Sequence, residues 1–224
     1  MGVTGRFLMS DVKLQSVNSD SSSANSFAVD ISGFYQSNER AYDNFNGLWR
    51  FGFNVSNLGP KMKYEELGKE NFIPTNLKLG SAFDFIFDSS NKLSLNIELN
   101  KLLVPSPSIP IFNSNNQIIG YEQADVNFLS GVFKSFGDAP DGFSEELKEF
   151  TLALGLEYTY NDSFALRAGY FGENENKGAR KYMTFGTGFK LEDINLDLSY
   201  LLSTSSVISP LENTLRFSFT YNLN

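Results

Sequence analysis

Apolar and polar residues alternate with a period of two through most of this chain. That period admits strands with two unlike faces and little else. Trp49, Phe51, Phe53 and Val55 are interleaved with Arg50, Gly52, Asn54 and Ser56. Leu77, Leu79, Phe83, Phe85 and Phe87 stand against Lys78, Gly80, Ala82 and Asp84. Leu93, Leu95, Ile97 and Leu99 stand against Ser94, Asn96, Glu98 and Asn100. The pattern recurs over 150–160, 164–170, 182–191, 194–200 and 214–223, less cleanly over 27–35, and with mixed faces over 3–14. The spacing predicts about ten strands, most of them long enough to cross hydrocarbon at a tilt.

Charge placement sharpens the reading. Arg50, Lys78, Asp84, Glu98, Glu157, Arg167, Asp197 and Arg216 all fall on the polar phase of their strands. A lipid-facing Arg or Lys at mid-bilayer is unfavourable by about 2–4 kcal/mol, so one-sided charge is what a membrane barrel requires. No window approaches 18 consecutive apolar residues, which excludes a transmembrane helix. The expected fold is therefore all-β: a transmembrane antiparallel up-and-down barrel formed by one domain, 1–224. Trp49, Tyr158, Tyr160, Phe164, Tyr170, Tyr200 and Tyr221 sit near strand ends, as interfacial girdles do. A soluble sandwich or lipocalin-like barrel is the competing architecture.

The connections support the membrane reading. Short links at 88–91, 161–163 and 192–193 alternate with long polar ones at 15–25, 58–75, 103–148, 173–180 and 203–212. The link 37–47 belongs to the short set without looking tight. Short periplasmic turns opposite long extracellular loops are the outer-membrane pattern. The longest connection holds Pro105-Ser106-Pro107, Pro110 and Asp138-Ala139-Pro140-Asp141-Gly142. Within it Ser144-Glu145-Glu146-Leu147 is expected to start a short helix capped by Ser144.

Little chemistry is encoded. The sequence has no Cys and no His, which removes disulfides, thiolates, the usual general base and the commonest metal ligand. A net charge of −8 argues against nucleic acid. Glu65/Glu66 and Glu145/Glu146 read as solvated surface. Gly186-Thr187-Gly188 falls mid-strand with no following helix, so it reads as small residues on the polar face, not a phosphate loop. Asn54-Val55-Ser56 and Asn161-Asp162-Ser163 match the glycosylation sequon by coincidence, one within a strand and one in a tight turn. The polar-phase charges are expected to pair across strands. No enzyme activity, cofactor or metal is expected.

Several segments are more specific than the period. Asn76-Leu77-Lys78-Leu79-Gly80, Leu99-Asn100-Lys101-Leu102-Leu103-Val104-Pro105 and Ser135-Phe136-Gly137-Asp138-Ala139-Pro140 are three of them. Phe164-Ala165-Leu166-Arg167-Ala168-Gly169-Tyr170-Phe171, Asn176-Lys177-Gly178-Ala179-Arg180-Lys181 and Pro210-Leu211-Glu212-Asn213-Thr214-Leu215-Arg216-Phe217 are three more. Together they resemble the PorV (LptO) family of the Bacteroidota type IX secretion system, within the FadL-like superfamily. The resemblance implies a fourteen-stranded outer-membrane barrel with an N-terminal periplasmic plug. The chain departs at the front, where no plug or signal peptide is visible, and reads as the C-terminal portion of such a protein. The implied function is a carrier of secreted proteins, recognised through their C-terminal domains and passed to the surface attachment complex. Its partners would be type IX translocon and attachment subunits, cargo proteins and outer-membrane lipid. The binding surface is expected on the extracellular rim, at Pro105, Pro107, Asp138, Pro140 and Phe143, supported by Asn57, Pro60, Lys177 and Arg180. A FadL-like transporter of hydrophobic small molecules is the alternative, and requires an apolar pocket on the polar side of the strands. A soluble β module is a third.

Overall fold

A computed structural model of the chain describes residues 1–11, 23–64, 70–106, 109–122, 125–205 and 212–222. Ten long strands form: β1 (Gly2–Ser10), β2 (Ala24–Gln36), β3 (Asn46–Leu58), β4 (Asn76–Ile86) and β5 (Asn91–Leu102), then β6 (Phe150–Tyr160), β7 (Phe164–Gly172), β8 (Lys181–Leu191), β9 (Ile194–Ser203) and β10 (Leu215–Tyr221). Each is hydrogen-bonded to its neighbours in sequence within one large antiparallel sheet. Among the described residues no pairing joins β1 to β10, so the sheet is an up-and-down path with two edge strands. The expected closure into a barrel is not observed. β1 ends at Ser10, four residues before the expected limit.

Turn chemistry sets the short links. Asp88 accepts the backbone N–H groups of Ser90 and Asn91 at 2.7 and 2.8 Å. A hydrogen bond from the Asn91 side chain, with those N–H groups, holds its carboxyl below the usual range. Asn161 and Asp162 both adopt positive φ, 49° and 51°, which the tightest hairpin turns demand. The 37–47 link is tighter than its length suggested. Arg40–Ala41 pairs back onto Asn46 and Gly47, and Tyr42 N–H donates to the Phe45 carbonyl at 2.8 Å.

On several strands the apolar phase is the more exposed one, whereas β10, an edge strand, is exposed on both faces. Phe51, Leu95, Leu154 and Phe217, on the apolar phase, are 46%, 45%, 43% and 70% exposed. Asp30, Asp84 and Ser94, on the polar phase, are buried.

The chain divides into two compact units. The first comprises residues 1–33, 53–78 and 101–147. Here Ala24, Ser26, Ala28 and Asp30 of β2 are buried while Asn25, Phe27 and Val29 between them are exposed. Ala24 and Ala28 pack with Met62 and Ile73, with Leu8 and Tyr64 against them. The segment after β3 therefore covers the small-residue face of β2. Ser26 Oγ donates to the Pro60 carbonyl at 3.0 Å. A Cβ on Gly59 would stand 2.1 Å from the Phe27 carbonyl oxygen, so the backbone approach itself requires glycine.

The second unit comprises 34–52, 79–100 and 148–224. Five of its polar-phase charges, Arg50, Asp84, Glu157, Arg167 and Asp197, pair across strands as expected, whereas Arg216 on the edge strand is exposed. Arg50 of β3 pairs with Asp84 of β4. Arg167 of β7 holds Glu157 of β6 and Asp197 of β9, each at 2.5 Å. To reach β9 the guanidinium crosses β8, where Gly186 and Gly188 leave the space. A Cβ on Gly188 would lie 2.7 Å from Asp197 and 2.9 Å from Arg167. On the apolar face Tyr42, Phe45, Trp49, Phe83, Phe85 and Phe87 form a ring network. Centroid separations run from 4.6 Å (Trp49–Phe83) to 6.5 Å (Phe45–Phe87).

Candidate protein-binding surface

The long connection after β5 folds. Ile109–Phe112 and Ile118–Glu122 form a hairpin, followed by helix α1 (Phe128–Lys134), helix α2 (Phe143–Glu146) and a 3-10 turn, Leu147–Glu149. Asn127 caps α1 by accepting the Ser130 N–H at 2.8 Å. Gly131 lets the helix approach closely, because a Cβ there would meet the Phe72 ring at 2.5 Å and Pro105 at 3.1 Å. Phe72 also carries Lys61, whose ammonium stands 4.6 Å from the ring centroid and 3.1 Å from Asp125. With this face packed, α1 presents Leu129 and Phe133 to the outside, and Phe136 is exposed in the turn that follows. Leu129 and Phe133, four residues apart, share one face of the helix as an exposed apolar pair.

Two carboxylates organise the segment that follows. Asp138 accepts the Ser106 N–H at 3.0 Å, tying the Pro105 segment to the end of α1. Glu146 pairs with Lys101 of β5 at 2.5 Å, with side chains 6% and 0% exposed. Its second oxygen lies 3.4 Å from the Ala139 N–H. The reading of Glu145/Glu146 as solvated surface is thus corrected for Glu146, which is buried. Glu145 instead accepts the Asp141 N–H at 2.8 Å. The expected cap is corrected as well. Gly142, at φ 75°, precedes the helix without a side-chain cap, and Ser144 lies inside α2. With Gly142 and not Ser144 at the N-cap, the helix starts two residues earlier than the Ser144 hydroxyl would have set it.

Of the residues expected at the surface, Pro105 and Asp138 line one cleft of about 600 Å³ with Ser106, Val126, Phe133 and Phe136. Pro105 is buried, whereas Pro140 and Phe143 are exposed on the turn and helix that Glu146 anchors. Pro107 lies outside the described residues. Asn57 sits at φ 57° and is fully engaged: its N–H donates to Asp30, its side chain to the Pro74 carbonyl, and its carbonyl accepts Thr75 Oγ1. Pro60 is exposed next to the Gly59 contact. Sequence reasoning missed Lys101, Phe133 and Phe136. Lys101 did carry a signal, since it follows Leu93, Leu95, Ile97 and Leu99 at the next odd position, where the apolar phase leaves no place for a lysine. The exposed series 95, 97, 99 resumes at Leu102, so the alternation slips by one residue, as at a β-bulge, and Lys101 turns inward.

In the second unit Lys177 and Arg180 belong to the 173–180 loop. Lys177 pairs with Glu149 at 3.0 Å. Arg180 donates to Glu173 at 2.8 and 3.1 Å and lies over the Phe171 ring. The Arg180 hydrogen bond holds the Glu173 carboxyl below its ordinary value. A depressed folded pKa contributes stability that is present above the unfolded carboxylate range and lost as pH falls through the folded value. The protection of the Ala179 and Arg180 amides from hydrogen exchange, taken against the intrinsic rate at each pH, is therefore expected to hold through neutral pH and to fall only below the ordinary glutamate value of about 4.3. In Arg180→Gln the loss of protection begins at higher pH.

A family model described as Type IX secretion system protein PorV matches residues 1–109, just under half of the 224-residue chain. This is the family that the sequence resembles. No curated protein matches the chain.

Proposed function

We propose that this chain, with the PorV match across its first 109 residues, is an outer-membrane β-sheet component of the type IX secretion system, a carrier and not an enzyme. The family match supports the secretion role. The outward apolar phase supports the membrane: Phe and Leu side chains on strand after strand face away from the buried polar groups, an arrangement suited to acyl chains and unsuited to water. The ring network around Trp49 suits an interfacial girdle. The carrier would bind secreted proteins through their C-terminal domains and pass them to the attachment complex. The surface best suited to this is the folded connection after β5, where Phe133 and Phe143 stand exposed on helices pinned from beneath and Phe136 on the turn after α1. Rigidly held aromatic side chains lose little entropy on association. The FadL-like alternative is disfavoured, because the polar faces of β3–β9 carry Arg50–Asp84 and the Arg167 cluster.

Affinity purification of the full-length protein from detergent-solubilised outer membrane tests the proposal. Secreted cargo and attachment subunits are expected to co-purify. Their absence, in a preparation where the protein itself is intact and membrane-derived, would remove the carrier function.

A further inference from the structure

On the apolar face of the second unit lies a groove of about 600 Å³ that crosses six consecutive strands, from Trp49 on β3 to Phe185 on β8. Its floor forms where the apolar phase carries small residues, Ser81 on β4 and Ala168 on β7. Phe83, Leu95, Leu154, Tyr170 and Met183 are among its walls. Every strand beneath it has a neighbour on both sides, so ladder pairing occupies the backbone N–H and C=O groups there. The groove therefore offers an occupant almost no hydrogen bonds, and any polar group placed in it would be left unsatisfied. Hydrocarbon is the chemistry that fits.

The dimensions narrow the choice. Five inter-strand spacings of about 4.8 Å make a path of about 24 Å. Strands tilted by about 45° place that path at a similar angle to the bilayer normal, so it rises about 17 Å. One leaflet of a hydrocarbon core of about 30 Å has nearly that depth.

We infer that this groove seats one acyl chain of a membrane lipid, held in place of exchanging annular lipid. The inference rests on the proposed membrane placement. Trp49, the single tryptophan of the chain, lines the groove and reports on it. The full chain in detergent is titrated with phosphatidylcholine brominated along its acyl chains while Trp49 emission is followed. Quenching that saturates at one lipid per protein is expected, and Ala168→Phe and Ser81→Phe, which fill the floor from different strands, are each expected to abolish the saturable part. Circular dichroism and heat-modifiable mobility identify the variant that retains its sheet. Quenching that merely tracks lipid mole fraction, unchanged in a folded floor-filling variant, means annular lipid alone and overturns the inference. Trp49 shielded from bromolipid in a purified assembly, with an apolar partner helix on this face, overturns it too. Quenching by aqueous iodide instead of bromolipid in proteoliposomes defeats the membrane placement itself, a result distinguishable from the other two.

Discussion

Lys101→Met is expected to destabilise the protein by about 3–5 kcal/mol, because it strands the Glu146 carboxylate in a buried site without its counter-charge. The geometry behind this is severe: neither side chain has meaningful contact with solvent, and the two meet at 2.5 Å. Removing both charges together is a different experiment. Lys101→Met with Glu146→Leu deletes the desolvation penalty along with the attraction, so the double variant recovers most of the loss. Urea unfolding gives the energies, and proteolysis within 101–147 shows where the damage falls. If the single variant matches wild type in both, Glu146 does not anchor the turn that carries Pro140 and Phe143. If the double variant is as unstable as the single one, the pair acts through packing and not through charge.

Leu154→Arg and Ala153→Arg form the second test, two adjacent substitutions on opposite faces of β6. On a lipid-facing position near mid-bilayer the arginine is unfavourable by about 2–4 kcal/mol, whereas an interior-facing arginine is tolerated. Folding yield into vesicles and heat-modifiable mobility are therefore expected to fall for Leu154→Arg and to hold for Ala153→Arg. A soluble protein gives the opposite sign. There Leu154 is an apolar side chain 43% exposed to water, and arginine would be neutral or would improve solubility. The comparison decides the orientation on which the outer-membrane reading depends.

The strands were legible because alternation is a local signal, repeated often enough that single exceptions do not matter. β6 falls on the expected limits, 150–160, and the 161–163 turn carries the Asn and Asp that positive φ favours. Closure was not legible, since period-two patterning is the same in a sheet with edges and in a ring. The binding surface was legible only in part. Prolines and Asp138 marked the connection as rigid, and two of those residues do line one cleft. The helix that supplies its aromatic wall was missed, because α1 turns its apolar pair outward and packs through Gly131 and Ser135. Composition reads that pair as core. Glu146 was misread for a related reason: two adjacent carboxylates in a polar loop look alike until the fold sends one of them to Lys101.

Arg167 lies across its neighbouring strand on glycines, and this constrains assembly. Displacing β8 by a single residue would set Thr187 beneath the guanidinium and force it off Asp197. One side chain thus senses whether three strands are correctly aligned. A misthreaded hairpin would leave Asp197 without the guanidinium while Arg167 keeps Glu157 alone, a defect that favours re-pairing before the sheet is complete.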